Sequence, residues 1–152
     1  MLLPAVRRLS LAVLLACGCG GASTGAVHIT GTGAPIELTP AALTELPPAT
    51  VAYKGHTYTG VRLRDVLDHA GVAIDQPITA VGLDGFTKEL SPAILQRDDA
   101  IVAYAVDDGL LRGDEGPLRI VVADEPKLSI KQLVRLTVGA AAGPAAAGTA
   151  AR

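Results

Sequence analysis

The stretch AYAVDDGLLRGDEGPLRIVV, residues 103–122, holds two apolar runs separated by two acidic turns. Residues 103–106 are apolar, Asp107-Asp108-Gly109 is a turn signal, and Asp114-Glu115-Gly116-Pro117 is a second one. Residues 118–122 are then aliphatic except for a single cation, Arg119. Strand, turn and strand in this order predict a hairpin-like unit. An almost unbroken aliphatic run has the composition of a strand buried on both faces. Side chains alternate along a strand, so Arg119 points to the opposite face from Leu118 and Ile120. A guanidinium enclosed in this way needs an anionic partner. That partner is either an internal carboxylate, such as Asp84 or Glu115, or a bound anion gripped by the planar donor fork. Lys131, a little further on, can bring a second positive charge to the same place.

Upstream, residues 100–106 read as one strand. Residues 78–83 and 86–90 read as two strands joined by Asp84-Gly85, and residues 50–53 and 56–59 as two more joined by Lys54-Gly55. Residues 60–70 have helical spacing: Leu63, Val66, Leu67 and Ala70 share one face, while Arg62, Arg64, Asp65 and Asp68 take the other. Gly71 supplies the stop. Thr39-Pro40 and Ser91-Pro92 each place a capping residue before a proline suited to a first helical turn, which predicts short helices over 41–46 and 92–95. Residues 27–29 form an opening strand. Downstream, Pro126 breaks the chain, residues 130–133 form one helical turn, and residues 135–138 form a closing strand. Short strands and short helices intermixed predict an α+β domain with a mixed β-sheet.

The chain has 152 residues, enough for one domain. Its aromatic residues are Tyr53, Tyr58, Phe86 and Tyr104, so small aliphatic side chains must fill the core. Net charge is −2, with no basic run and little aromatic surface for stacking, which argues against nucleic-acid binding. Arg7 and Arg8 precede a short apolar run over 9–16, too short to span a bilayer, and residues 1–16 read as an export signal. The run ends Leu14-Leu15-Ala16-Cys17, similar to a bacterial lipobox, which makes Cys17 the expected lipidation site and the periplasm or cell surface the expected location. A plain secretory signal cut after a small residue such as Ala22 is the alternative. Removing residues 1–16 takes away two arginines and no acid, so a net charge of −2 becomes −4. Residues 17–25 read as a tether, 26–138 as the domain, and 139–152 as an Ala/Gly tail with nothing to bury.

Both cysteines, Cys17 and Cys19, lie in the tether, so the domain itself has no thiol for a disulfide, a metal or nucleophilic chemistry. His28, His56 and His69 are scattered and read as surface or structural residues. Ser91 and Ser129 lack a nucleophile context such as Gly-x-Ser-x-Gly. Asp107, Asp108, Asp114 and Glu115 lack the interval of a calcium loop and read as solvated turns.

Six segments in order resemble one family: Gly60-Val61-Arg62-Leu63-Arg64-Asp65-Val66-Leu67, Asp84-Gly85-Phe86, Ala103-Tyr104, Asp108-Gly109, Gly116-Pro117-Leu118-Arg119 and Ser129-Ile130-Lys131. Together they are similar to the molybdopterin-binding oxidoreductase domain of the sulfite oxidase type, over nearly all of residues 27–138. The resemblance implies that Arg119 and Lys131 are the cofactor-binding residues, contacting the phosphate and polar edges of a pterin, and that molybdopterin is the cofactor. It also exposes departures. The family ligates molybdenum through a cysteine between the first helix and the Gly-Val-x-Leu helix, and here that interval, residues 47–60, contains none. No residue replaces the soft thiolate. The family's histidine just before the Pro-x-Arg strand is Asp114 or Glu115 here, and its tryptophan after the lysine is Gln132.

The residues themselves predict no cofactor. The expected function is therefore an exported, lipid-anchored binding module for an anionic or pterin-type small molecule. The alternatives are an oxidoreductase that holds molybdopterin without cysteine or with a partner subunit's ligand, and a structural module that meets an envelope protein.

Overall fold

In the computed structural model, residues 25–31 and 33–139 are described. The export segment, Cys17, most of the tether and the tail beyond Gly139 lie outside the described residues. Among the described residues, ten strands and three short α-helices form one mixed and one antiparallel sheet, in the α+β architecture that the intermixed short strands and helices predict.

The first sheet has the order β2-β1-β10-β5-β6. Here β1 is Val27–Thr30, β2 is Ile36–Leu38, β5 is Ile78–Gly82, β6 is Thr87–Leu90 and β10 is Leu133–Val138. Its chain-terminal strands, β1 and β10, are parallel neighbours, with His28 opposite Arg135 and Thr30 opposite Thr137. The second sheet has the order β3-β4-β7-β8, formed by Pro48–Tyr53, His56–Arg62, Ala100–Val106 and Gly109–Leu110. A further strand, β9 (Arg119–Val122), also pairs with β7. Residues 103–122 thus form the expected antiparallel unit, with Ala103 opposite Arg119.

Three helices support the sheets: α1 (Pro40–Thr44), α2 (Leu63–His69) and α3 (Pro92–Leu95). Thr39 caps α1, its Oγ1 accepting the Ala42 N–H at 3.2 Å. Ser91 stands at the cap position of α3 but makes no side-chain cap bond. Helix α2 buries Leu63, Val66 and Leu67, each contributing about 1.5–3 kcal/mol on removal from water.

The structure corrects two boundaries. Residues 60–62 are strand and not helix, because β4 extends through them to pair with β7. Gly60 makes this possible: a Cβ there would lie 2.1 Å from the Val102 carbonyl oxygen, so only glycine lets the two strands approach. Residues 130–133 are not a helical turn. Ile130 exchanges two backbone hydrogen bonds with Ile120 at 2.9 and 3.0 Å, and the helical turn, a 3-10 one, falls earlier, at Pro126–Leu128. Strand β2 was absent from the sequence reading, since three residues carry too little periodicity to register.

The main core lies between the sheets and includes Val27, Leu43, Leu67, Ile78, Leu90, Ile120 and Leu136. A second cluster, with Val51, Tyr53, Tyr58, Ile101 and Val121, covers the other face of the second sheet. Strand β9 is buried on both faces: Ile120 and Val122 enter the main core, whereas Val121 enters the second cluster, on the same side as Arg119.

Candidate functional site

Strand β9 runs between β7 on one side and residues 130–133 on the other, where Leu133 N donates to Leu118 O at 2.8 Å. That second pairing brings Lys131 alongside Arg119, although twelve positions of chain separate them. Arg119 is 5% exposed. Its guanidinium lies 5.1 Å from the ring centre of Tyr58 and 5.5 Å from that of Tyr53. The two rings meet edge to face at 6.1 Å across the β3–β4 hairpin.

The internal anion beside Arg119 is Glu115. Arg119 Nη1 donates to Glu115 Oε2 and to Tyr58 Oη, the latter at 3.1 Å. Tyr58 Oη in turn donates to Glu115 Oε2 at 3.3 Å. Lys131 Nζ takes the other carboxylate oxygen, Oε1, at 2.7 Å, and lies 3.7 Å from Asp114. Asp84, the other carboxylate considered for Arg119, instead accepts the Phe86 N–H within its own turn at 2.9 Å. Both candidate residues, Arg119 and Lys131, therefore converge on one carboxylate.

The charges shape each other's titration. Burial pushes the Glu115 carboxyl up, but the Lys131 hydrogen bond and the charges of Arg119 and Lys131 outweigh it and hold the group below its ordinary value of 4.5. The Glu115 hydrogen bond lifts Lys131 above its ordinary value of 10.5. Burial raises the Tyr58 phenol above 10.0; the nearby Arg119 charge opposes this and Glu115 reinforces it.

These groups line a cleft of about 440 Å³ together with Lys54, His56 and Asp107. An adjoining hollow of about 260 Å³ shares Tyr53, Lys54, Arg119 and Lys131, and adds Phe86 and Ser129. Arg119 thus stands where the two spaces meet. Its Nε and the Ser129 Oγ are buried without a hydrogen-bond partner among the described residues. At the rim, His56 Nδ1 and Asp107 Oδ2 are 2.5 Å apart, and the other Asp107 oxygen accepts the Thr57 N–H at 2.9 Å. The backbone hydrogen bond from Thr57, then the His56 contact, holds the Asp107 carboxyl below its ordinary value. His56 and Asp107 stand 51 positions apart in the chain. The register of β4 against β7, with Tyr58 opposite Val106, is what brings them together.

The donor set can be tested against a molybdenum cofactor. The interval where the resemblance places the ligating cysteine is the β3–β4 hairpin, and it contributes Tyr53, Lys54, His56 and Tyr58 to the cleft but no thiol. Among the described residues, no group of three or more His, Cys, Asp or Glu side chains is arranged to hold a metal ion. Thiolate ligation of molybdenum does not fit these residues. Arg119 and Lys131 are donors of the kind an oxyanion accepts from, and Glu115 engages both of them.

No curated protein matches the chain in sequence. The family model described as the oxidoreductase molybdopterin-binding domain matches residues 19–145, the greater part of the chain. That match agrees with the α+β fold and with the six ordered segments around Arg119 and Lys131, and on these grounds the chain belongs to the molybdopterin-binding oxidoreductase domain family.

Proposed function

We propose that this domain is a non-catalytic binding module for an anionic small molecule, pterin-type or otherwise, held at Arg119 and Lys131. The observation that carries the reading is the buried Arg119, whose Nε has no partner among the described residues and which lines a cleft with two lysines. A buried guanidinium stacked on two tyrosines is a pre-organised donor fork, suited to an oxyanion. The hairpin without a thiol supports a binding role over molybdenum redox chemistry.

Equilibrium binding of molybdopterin to the wild type and to Arg119→Ala tests the site. The expected result is binding by the wild type and a loss of at least tenfold in the variant; equal affinities, or no binding by either, sink the reading. Elemental and pterin analysis of protein purified from its native source tests the non-catalytic part. Stoichiometric molybdenum would reject it.

The domain acts outside the cytoplasm, anchored through a lipid on Cys17. The supporting feature is the sequence of residues 1–17, with Arg7 and Arg8 ahead of an apolar run that ends at the cysteine. The measurement is intact mass of the membrane fraction. A Cys17→Ser form that stays equally membrane-bound would refute the anchor.

A further inference from the structure

We propose that Glu115 is a tethered competitor for the anion site, so that only an oxyanion carrying two negative charges, of the phosphate monoester or sulfate class, displaces it from Arg119 and Lys131. This rests on the anion-binding reading above and specifies its ligand class and its regulation.

The geometry supplies the first argument. Each Glu115 oxygen is already engaged, Oε2 by Arg119 Nη1 and Tyr58 Oη, and Oε1 by Lys131 Nζ. These are the donors that a bound oxyanion would need. Glu115 nevertheless satisfies Arg119 only in part, since Nε remains without a partner among the described residues. A tetrahedral oxyanion has more acceptor oxygens than a carboxylate to offer such a fork.

Charge supplies the second argument. A free monoanion replacing Glu115 exchanges one negative charge for another and loses to a group already attached to the chain, whose effective concentration is in the millimolar range or above. A dianion adds one more charge opposite Arg119, Lys131 and Lys54, all of which line the cleft. The displaced carboxylate has somewhere to go. Its side chain is one-third exposed, and it sits in the turn between Gly113, at φ 61°, and Gly116.

The test is titration of inorganic phosphate, at a pH where the dianion prevails, and of acetate, into wild type, Glu115→Gln and Arg119→Ala, with Kd read by calorimetry. The expected result is phosphate binding about tenfold tighter in Glu115→Gln than in wild type. Acetate should bind Glu115→Gln and leave the wild type untouched. Equal or weaker phosphate binding by Glu115→Gln, with wild-type binding that Arg119→Ala abolishes, overturns the competitor and leaves the anion site standing. Absence of phosphate binding in both wild type and Glu115→Gln overturns both. A second readout needs no variant at position 115: in wild-type protein labelled at glutamate side-chain carbons, saturating phosphate should move the Glu115 carboxylate resonance towards that of a solvated glutamate. An unmoved Glu115 resonance under saturating phosphate refutes displacement.

Discussion

Lys131 and Arg119 hold opposite oxygens of the same carboxylate, Lys131 Nζ lying 2.7 Å from Glu115 Oε1 while Arg119 Nη1 engages Oε2. The two cations are thus kept close by the acid between them, and stability here and the proposed ligand binding depend on the same three side chains.

Replacing Arg119 by alanine should cost about 3 kcal/mol, because it takes from Glu115 its buried cationic partner and empties the space against Tyr53 and Tyr58. Replacing Arg119 and Glu115 together by methionine and leucine should leave stability within about 1 kcal/mol of wild type, since no buried charge is left unpaired: Lys131 is half exposed and keeps Asp114 at 3.7 Å. Urea denaturation of both forms gives the comparison. A double variant as unstable as Arg119→Ala would show that packing geometry, and not charge pairing, dominates.

Acid should remove the Glu115 contribution. Its carboxyl titrates lower in the folded chain than in the unfolded one, so the ion pair contributes fully above the ordinary value of 4.5 and is lost as pH falls through the lower, folded value. Lys131 behaves in the opposite sense. Its raised folded value makes its contribution complete below 10.5 and lost as pH rises beyond that. Asp99, held down mainly by its hydrogen bond from Arg97, and Asp107 add to the acid limb. Thermal melts across pH for wild type and Glu115→Gln should therefore diverge above about 4.5 and converge in acid. Parallel curves throughout would contradict the assignment.

Gly60→Ala should destabilise the domain by about 3 kcal/mol or more, lowering Tm by roughly 10 °C, since the new methyl must displace the Val102 carbonyl across the β4–β7 pair. Gly55→Ala is the control. A Cβ there meets nothing within 4 Å, and the cost is confined to holding alanine at φ 81°. Similar melts for the two variants would argue against the close strand approach.

Asp107 stands at φ 46° with its carboxylate bonded to Thr57 and His56. Asn tolerates this left-handed backbone and keeps an acceptor, so Asp107→Asn should leave the denaturation midpoint close to that of the wild type. Val fits neither requirement, and Asp107→Val should lower the midpoint clearly below that of Asp107→Asn. Chemical denaturation of the pair distinguishes backbone strain from the exposed ion pair.

Arg119 was legible in the sequence because a cation inside an aliphatic strand violates the local pattern, and period two alone set its face. Lys131 is legible only as a nearby second cation, because nothing local says that residue 130 pairs with residue 120. Tyr58 and His56 were invisible as site residues for the same reason: a tyrosine and a histidine in a hairpin strand look like ordinary strand residues until the register with β7 is known. The boundary errors have one cause too. Val61 and Arg62 continue a helical spacing that is broken by pairing with Ile101 and Val102, and the segment 130–133 is held extended by β9. In each case a long-range hydrogen-bond ladder overrode a local preference.

The parallel alignment of β1 and β10 has a mechanical consequence. The described chain reaches the sheet at the start of β1 and leaves it at the end of β10, so a pull applied through the two termini draws these neighbours in opposite directions along their own axes. Their ladder is then loaded in shear, with its evenly spaced bonds sharing the force at once and not parting one after another. Just ahead of β1, Gly25 abuts the Pro117 ring, two residues from Glu115, so the segment entering that ladder also lies against the loop that carries the carboxylate.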